Sequence, residues 1–101
     1  MKIIPLAAVP SQTFSAVLGG QNCQLAIYQK STGLFIDVRM NGAGVALAVL
    51  ALDRNRTVRL DDGTFIGDLV FYDTQGVDDP DYTGLGARFK LAYIEPSDDL
   101  Y

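Results

Sequence analysis

Histidine is absent from the sequence, and cysteine occurs once, as Cys23. Without imidazole the chain has no side chain that titrates unperturbed near neutral pH and lacks the commonest transition-metal ligand. A lone cysteine allows neither an internal disulfide nor a CxxC site, and with no histidine anywhere a Cys–His nucleophile cannot be assembled. Basic residues are also few, 8 against 12 acidic ones for a formal charge of −4, and they are dispersed along the chain. A surface for nucleic acid needs clustered Lys and Arg, so nucleic acid is not an expected partner. Long hydrophobic runs are missing too: no stretch approaches the roughly 18 apolar residues that span a bilayer, and a membrane is not expected either.

What is present is the composition of a folded protein, 49% hydrophobic and 20% charged over 101 residues. That length predicts one β domain over residues 1–101, with a core modest enough that assembly would add to its stability. The opening Met1–Pro10 has one lysine and an apolar run, but Pro5 and Pro10 interrupt it before it reaches the length of a leader's apolar region, so an unprocessed product made in the cytosol is expected.

Beyond Pro10 the chain reads as short strands divided by turn residues. Gln12–Leu18 sets Phe14, Ala16 and Leu18 on one parity, and Gly19-Gly20-Gln21-Asn22 signals a hairpin. Cys23–Gln29 puts Cys23, Leu25 and Ile27 on one face, which makes Cys23 a small buried hydrophobe. Leu34–Met40 alternates Leu34, Ile36, Val38 and Met40 against Phe35, Asp37 and Arg39 before Asn41-Gly42, the clearest half-buried strand in the chain. Val45–Leu52 is apolar throughout. Its alanines would suit a short helix, but its length and its glycine-containing, β-rich surroundings favour a strand buried on both faces. Arg56–Leu60 and Phe65–Tyr72, separated by the turn Asp61-Asp62-Gly63, predict a second hairpin, and Ala87–Ile94 predicts the last strand, ended by Pro96. The fold class expected is all-β: a small β-sandwich or partly open β-barrel of about seven or eight mostly antiparallel strands.

Between the last two predicted strands lies Asp73–Gly86, far longer than a hairpin loop of about 2–5 residues, and loops of this length are normally functional or mobile. Asp78, Asp79, Pro80, Asp81 and Tyr82 within it are the first candidate partner-binding residues, with Tyr82 as an aromatic anchor in polar surroundings. Arg54 and Arg56 are the second candidates. They either clamp a carboxylate on another protein or keep their loop in water. The acidic cluster admits a cation-binding reading, but its spacing is not that of an EF-hand and no closing Glu follows, so no metal site is assigned. Paired carboxylates such as Asp61-Asp62 and Asp98-Asp99 read as solubilising groups in a turn and a tail. Gly84-Leu85-Gly86 lacks the third glycine of a dinucleotide fingerprint. No catalytic residue and no cofactor is assigned.

Several blocks together resemble a known family. Ile3-Ile4-Pro5-Leu6, Val9-Pro10-Ser11-Gln12-Thr13-Phe14-Ser15 and Leu18-Gly19-Gly20-Gln21-Asn22 open the chain. Leu34-Phe35-Ile36-Asp37-Val38, Asn41-Gly42, Gly67-Asp68-Leu69-Val70-Phe71, Asp78-Asp79-Pro80-Asp81-Tyr82 and Gly84-Leu85-Gly86 follow. In this order they resemble the baseplate plug proteins of contractile-tailed phages, first typified by a cyanophage. The match covers nearly the whole chain and is poorest over Val45–Asp62. The resemblance implies a non-enzymatic structural component of the virion tail baseplate on the tail axis, contacting hub, tube or spike proteins. Residue patterns alone leave a second reading, a small ligand- or Ca²⁺-binding β module. Association into a homo-oligomer is expected, with three-fold and six-fold symmetry both open.

Overall fold

Alternation and turn chemistry translate directly into strands and hairpins over most of the chain. The computed structural model describes residues 2–59 and 65–96. Its strands are β1 (Lys2–Ile4), β2 (Ser11–Leu18), β3 (Gln21–Lys30), β4 (Gly33–Met40), β5 (Ala43–Leu50), β6 (Asp68–Asp73) and β7 (Phe89–Ile94), with one 3₁₀ turn at Tyr82–Gly84. They form two antiparallel sheets, of order β2-β3-β4-β5 and β1-β7-β6, facing each other as a small sandwich not closed into a barrel.

The larger sheet is a meander whose connections are two residues long. Gly19 and Gly20 both take positive φ, +59° and +76°, and Asn41-Gly42 does the same at +54° and +83°. These are the conformations that let a two-residue turn follow the right-handed twist of its strands. Register then fixes the core. Cys23, Leu25, Ile27, Leu34, Ile36 and Val38 face inward and are buried, against Leu69, Phe71, Phe89, Leu91 and Tyr93 of the smaller sheet. Burial pushes the Cys23 thiol pKa up, in keeping with a packed apolar side chain.

The sheets are joined at opposite edges. On one side residues 5–10 pass from β1 to β2, held by Gln12, whose side-chain amide donates to the Ala7 carbonyl at 2.8 Å and accepts from its N–H at 3.2 Å. On the other side residues 51–59 cross from β5 to β6 and lie along the outer edge of β6. There Arg54 N–H donates to Phe71 O, Thr57 N–H donates to Leu69 O, and Arg56 bridges Val70. Next to β6, Tyr93 Oη–H donates to the carbonyl of Ile66, and Gly67 has φ +90° where a Cβ would stand 2.4 Å from Ile94 O.

Two expectations are corrected. Val45–Leu52 yields a strand, β5, but not one buried on both faces. It is an edge strand with Leu47 51% and Leu50 40% exposed, because the three-stranded sheet is narrower than the four-stranded one and no strand among the described residues pairs beyond β5. Its register against β4 shifts twice, and Ala48 takes φ +54° at the bulge. Arg56–Leu60 and Phe65–Tyr72 do not form a regular hairpin. Among the described residues of the two segments the one bridge is Arg56 to Val70, residues 57–59 turn away with Arg59 at φ +56°, and the strand begins at Asp68. The turn Asp61-Asp62-Gly63, Leu60 and the tail carboxylates Asp98 and Asp99 lie outside the described residues. Lys2–Ile4, ahead of Pro5, adds a strand to the smaller sheet by pairing with β7.

Ile36, buried in the centre of the larger sheet, and Leu47, on the open edge, separate the two environments. Ile36→Ala is expected to lower unfolding free energy by about 2–5 kcal/mol, and Leu47→Ser to change it by about 0.5 kcal/mol or less, both read from urea unfolding curves.

Candidate functional site

A six-residue strand that begins and ends with aspartate has to find donors for both carboxylates if its ends are covered. Both ends of β6 are: Asp68 is 0% exposed and Asp73 1%. Around Asp68 the crossing segment supplies the donors. Its Oδ1 accepts from the backbone N–H groups of Thr57 at 3.1 Å, Val58 at 2.7 Å and Leu69 at 2.7 Å. Its Oδ2 accepts from Arg59 N–H at 2.9 Å and from Arg56 Nε at 3.1 Å. The irregular path of residues 57–59 is the path that turns successive N–H groups toward one carboxylate, and it explains why the predicted strand is lost there.

At the other end, Asp73 holds the long loop. Arg88 approaches it as a fork, Nε to Oδ1 at 2.9 Å and Nη2 to Oδ2 at 2.8 Å, and Nη2 also reaches Asp78 Oδ2 at 2.7 Å. The same carboxylate accepts from Gln75 N–H at 2.8 Å and Asp78 N–H at 3.0 Å, closing residues 73–78 into a tight arc. Bidentate bonding by Arg88 outweighs burial and, with the two N–H groups, holds the Asp73 carboxyl well below the usual carboxylate range, while the Arg88 guanidinium is raised by its bond to Asp73. Asp53 completes the clip: its Oδ1 accepts from Asp73 N–H at 2.8 Å, its own N–H donates to Asp79 Oδ1 at 2.8 Å, and its Oδ2 meets Arg54 Nη1 at 2.5 Å. Further on, Asp81 caps the 3₁₀ turn by accepting from Thr83 N–H at 2.9 Å.

The structure places the candidate residues in three groups. Arg54, Asp78 and Asp79 converge on the Asp53–Asp73 clip, where Arg54 also donates to the carbonyls of Gly76 at 3.1 Å and Asp73 at 3.2 Å. Pro80, Asp81 and Tyr82 lie further along the loop: Pro80 is buried, Asp81 is exposed, and Tyr82 is half-buried against the core with its N–H donating to Gln29 Oε1 at 3.1 Å. Arg56 is apart from both groups and turned to Asp68. Both arginines therefore bind carboxylates of this chain, and the loop is pinned along its length. Sequence reasoning missed Asp53, Asp68 and Arg88 as organisers. A signal for Asp73 was available, since it shares the parity of the apolar Leu69 and Phe71 and would face the core. Among the described residues no three His, Cys, Asp or Glu side chains are grouped to hold a metal ion, and the loop carboxylates are engaged by N–H, hydroxyl and guanidinium donors.

Fold and site together define a small β-sandwich that turns its carboxylates and arginines on its own loops and holds those loops as fixed surfaces. The family model described as "Cyanophage baseplate Pam3 plug gp18" matches residues 1–96, and the chain belongs to this phage baseplate plug family. It is thus a plug component of a phage tail baseplate, located in the virion tail. No curated protein matches the chain.

Removing the Asp68 carboxylate takes a buried shared acceptor away from the N–H groups of Thr57, Val58, Arg59 and Leu69 and from the half-buried Arg56. Asp68→Ala is expected to lower unfolding free energy by about 3–5 kcal/mol, measured by urea unfolding. Asp73 sets a pH signature. Because its folded pKa lies below its unfolded one, its contribution is complete above the unfolded carboxylate pKa and is lost as pH falls toward the folded one. Unfolding free energy should therefore decline between about pH 5 and pH 2 with a steeper slope in the native sequence than in Asp73→Asn, compared by denaturant titrations at each pH.

Proposed function

We propose that the chain is a non-enzymatic assembly subunit, acting as one β domain over residues 1–101, that sits on the tail axis, associates with copies of itself, contacts tube, hub or spike proteins, and binds its neighbours partly through the loop Asp73–Gly86. Family membership supports the place in the baseplate. The observation that carries the use of the loop is its rigidity: a long acidic loop is fixed by Asp73, Arg88, Arg54 and Asp53 while the Asp78 side chain remains 70% exposed. A loop held in one conformation loses little entropy when a partner docks on it.

The charge arrangement supports the absence of a nucleic-acid partner. Arg54, Arg56 and Arg88 are each paired with carboxylates of the chain, Asp53, Asp68, Asp73 and Asp78, which leaves them less available to phosphates. No helix among the described residues is long and apolar enough to cross a membrane. Synthesis in the host cytoplasm before incorporation into the tail follows from this reading.

Sedimentation of the purified protein, alone and mixed with the tube, hub and spike proteins of the same phage, tests the proposal. Concentration-dependent assembly or capture by one of these proteins is expected, and a monomer that ignores all of them overturns it. Tyr82→Ala should weaken the association by about 2 kcal/mol or more, with a melting curve confirming that the variant is folded. An unchanged titration removes the loop from the interface.

A further inference from the structure

The most exposed large hydrophobic side chain among the described residues is Val77, at 79%. It stands at the tip of the Asp73–Asp78 arc, and the backbone around it is immobilised on both sides. Gln75 and Asp78 N–H groups donate to Asp73, Arg54 donates to the Gly76 carbonyl, and Arg88 holds the Asp78 carboxylate. The result is a fixed apolar knob with Asp78 and Asp79 beside it.

A surface of complementary character lies on the outer face of the four-stranded sheet. Tyr28, Phe35 and Leu50 stand side by side there through the register of β3, β4 and β5, with the Tyr28 and Phe35 rings stacked at 6.0 Å. Leu50 lies over Gly33 and Leu47 over Gly44, where added Cβ atoms would come within 2.6 and 2.9 Å of the leucine methyls. The one acidic group in this face, Asp37, is half-buried and occupied: its Oδ1 accepts from Tyr28 Oη–H at 2.9 Å and Ala48 N–H at 2.7 Å. Lys30 Nζ, 5.6 Å from the Tyr28 ring centroid, and the 45% exposed Arg39 side chain, whose Nη1 stands 3.7 Å from Asp37 Oδ2, leave this face with one more cation than anion.

The β5 edge of this face exposes two large aliphatic side chains, Leu47 and Leu50. β5 has neither charge nor proline over its eight residues, its bulge being the one protective feature. By contrast, β6 is covered by residues 54–57, β1 is three residues long and carries Lys2, and β2, which also lacks charge and proline, presents Ser11, Thr13 and Ser15 outward beside the exposed Val17, whose carbonyl accepts from Lys2 Nζ at 3.4 Å. A bare apolar edge strand is usually covered by a partner. Charge divides along the same line: residues 11–50 hold two cations and one anion, and the rest of the chain six cations and eleven anions.

We propose that the occupant of this face is a second copy of the chain, docked head to tail, with Val77 and its acidic flank inserted against Leu47, Leu50 and Phe35 between Lys30 and Arg39. This rests on the reading of the acidic loop as a partner-binding surface and adds what that surface meets. Because knob and socket are different patches of one molecule, the contact is heterologous and propagates from copy to copy, closing into a ring where the rotation allows.

Complementation tests it. Val77→Asp damages the knob only and Leu47→Asp the socket only, and both positions are exposed enough that folding should persist, checked by melting curves, with Val77→Ser and Leu47→Ser as milder substitutes. In sedimentation velocity the native protein should assemble, less strongly at about 0.5 M salt than at low salt. Each variant alone should self-associate at least about tenfold more weakly. An equimolar mixture of the two should give a one-to-one dimer and nothing larger, since one intact knob then meets one intact socket. Variants that assemble like the native protein overturn this interface while leaving self-assembly standing. Variants that lose assembly and are not restored by mixing overturn the head-to-tail arrangement in favour of a two-fold one. A native protein that stays monomeric but is captured by tube, hub or spike proteins overturns the inference and spares the proposed function, and one that does neither overturns both.

Discussion

A carboxylate removed from water must be given hydrogen-bond donors, and β6 begins and ends with one that is so removed. Much of the architecture outside the regular strands follows from meeting that requirement twice. Asp68 draws residues 57–59 out of a strand path so that their N–H groups and Arg56 can surround it, and in doing so brings the crossing segment along the free edge of β6. Asp73 draws in Arg88 from just before β7 together with the N–H groups of Gln75 and Asp78, and Asp53 adds its carboxylate from the crossing segment. Two loops and a strand edge are therefore ordered by polar groups rather than by apolar packing.

The same requirement determines what the surface has to offer. Three of the arginines are occupied within the chain, so the exterior around the loop is acidic, and what protrudes from it is Val77. The four-stranded sheet, with few charges of its own, presents aromatic and aliphatic side chains outward under Lys30 and Arg39. A baseplate component has to be fitted among neighbours, and a body whose loops are internally fixed brings shaped surfaces to that task with little ordering left to do on contact.

Legibility in the sequence tracked the kind of force involved. The meander could be read because period-two alternation and the Gly19-Gly20 and Asn41-Gly42 turns are local signals, and Cys23, Leu25, Ile27, Leu34, Ile36 and Val38 are buried as their parity indicated. The family could be read because several blocks stand in their characteristic order, and the family model spans the same residues. The exposure of β5 could not be read, since an apolar run looks the same on an open edge as between two layers, and only the narrower opposing sheet distinguishes the cases. The loop was recognised as a candidate from its length and composition. Its internal clip was hidden because Asp53, Asp73 and Arg88 are separated by 15 to 35 positions.

By itself, then, the sequence determined the all-β class, the hairpins of the larger sheet, the inward faces and the exclusion of imidazole, disulfide and paired-thiol chemistry. These depend on residues within a few positions of one another or on residues that are simply missing. Only the tertiary structure decided which carboxylates are buried, which arginines they hold, that β5 is an edge and that Val77 stands clear of a fixed arc. Each of those outcomes is set by which distant segment arrives beside the residue, and desolvation and donor geometry act only once it has arrived.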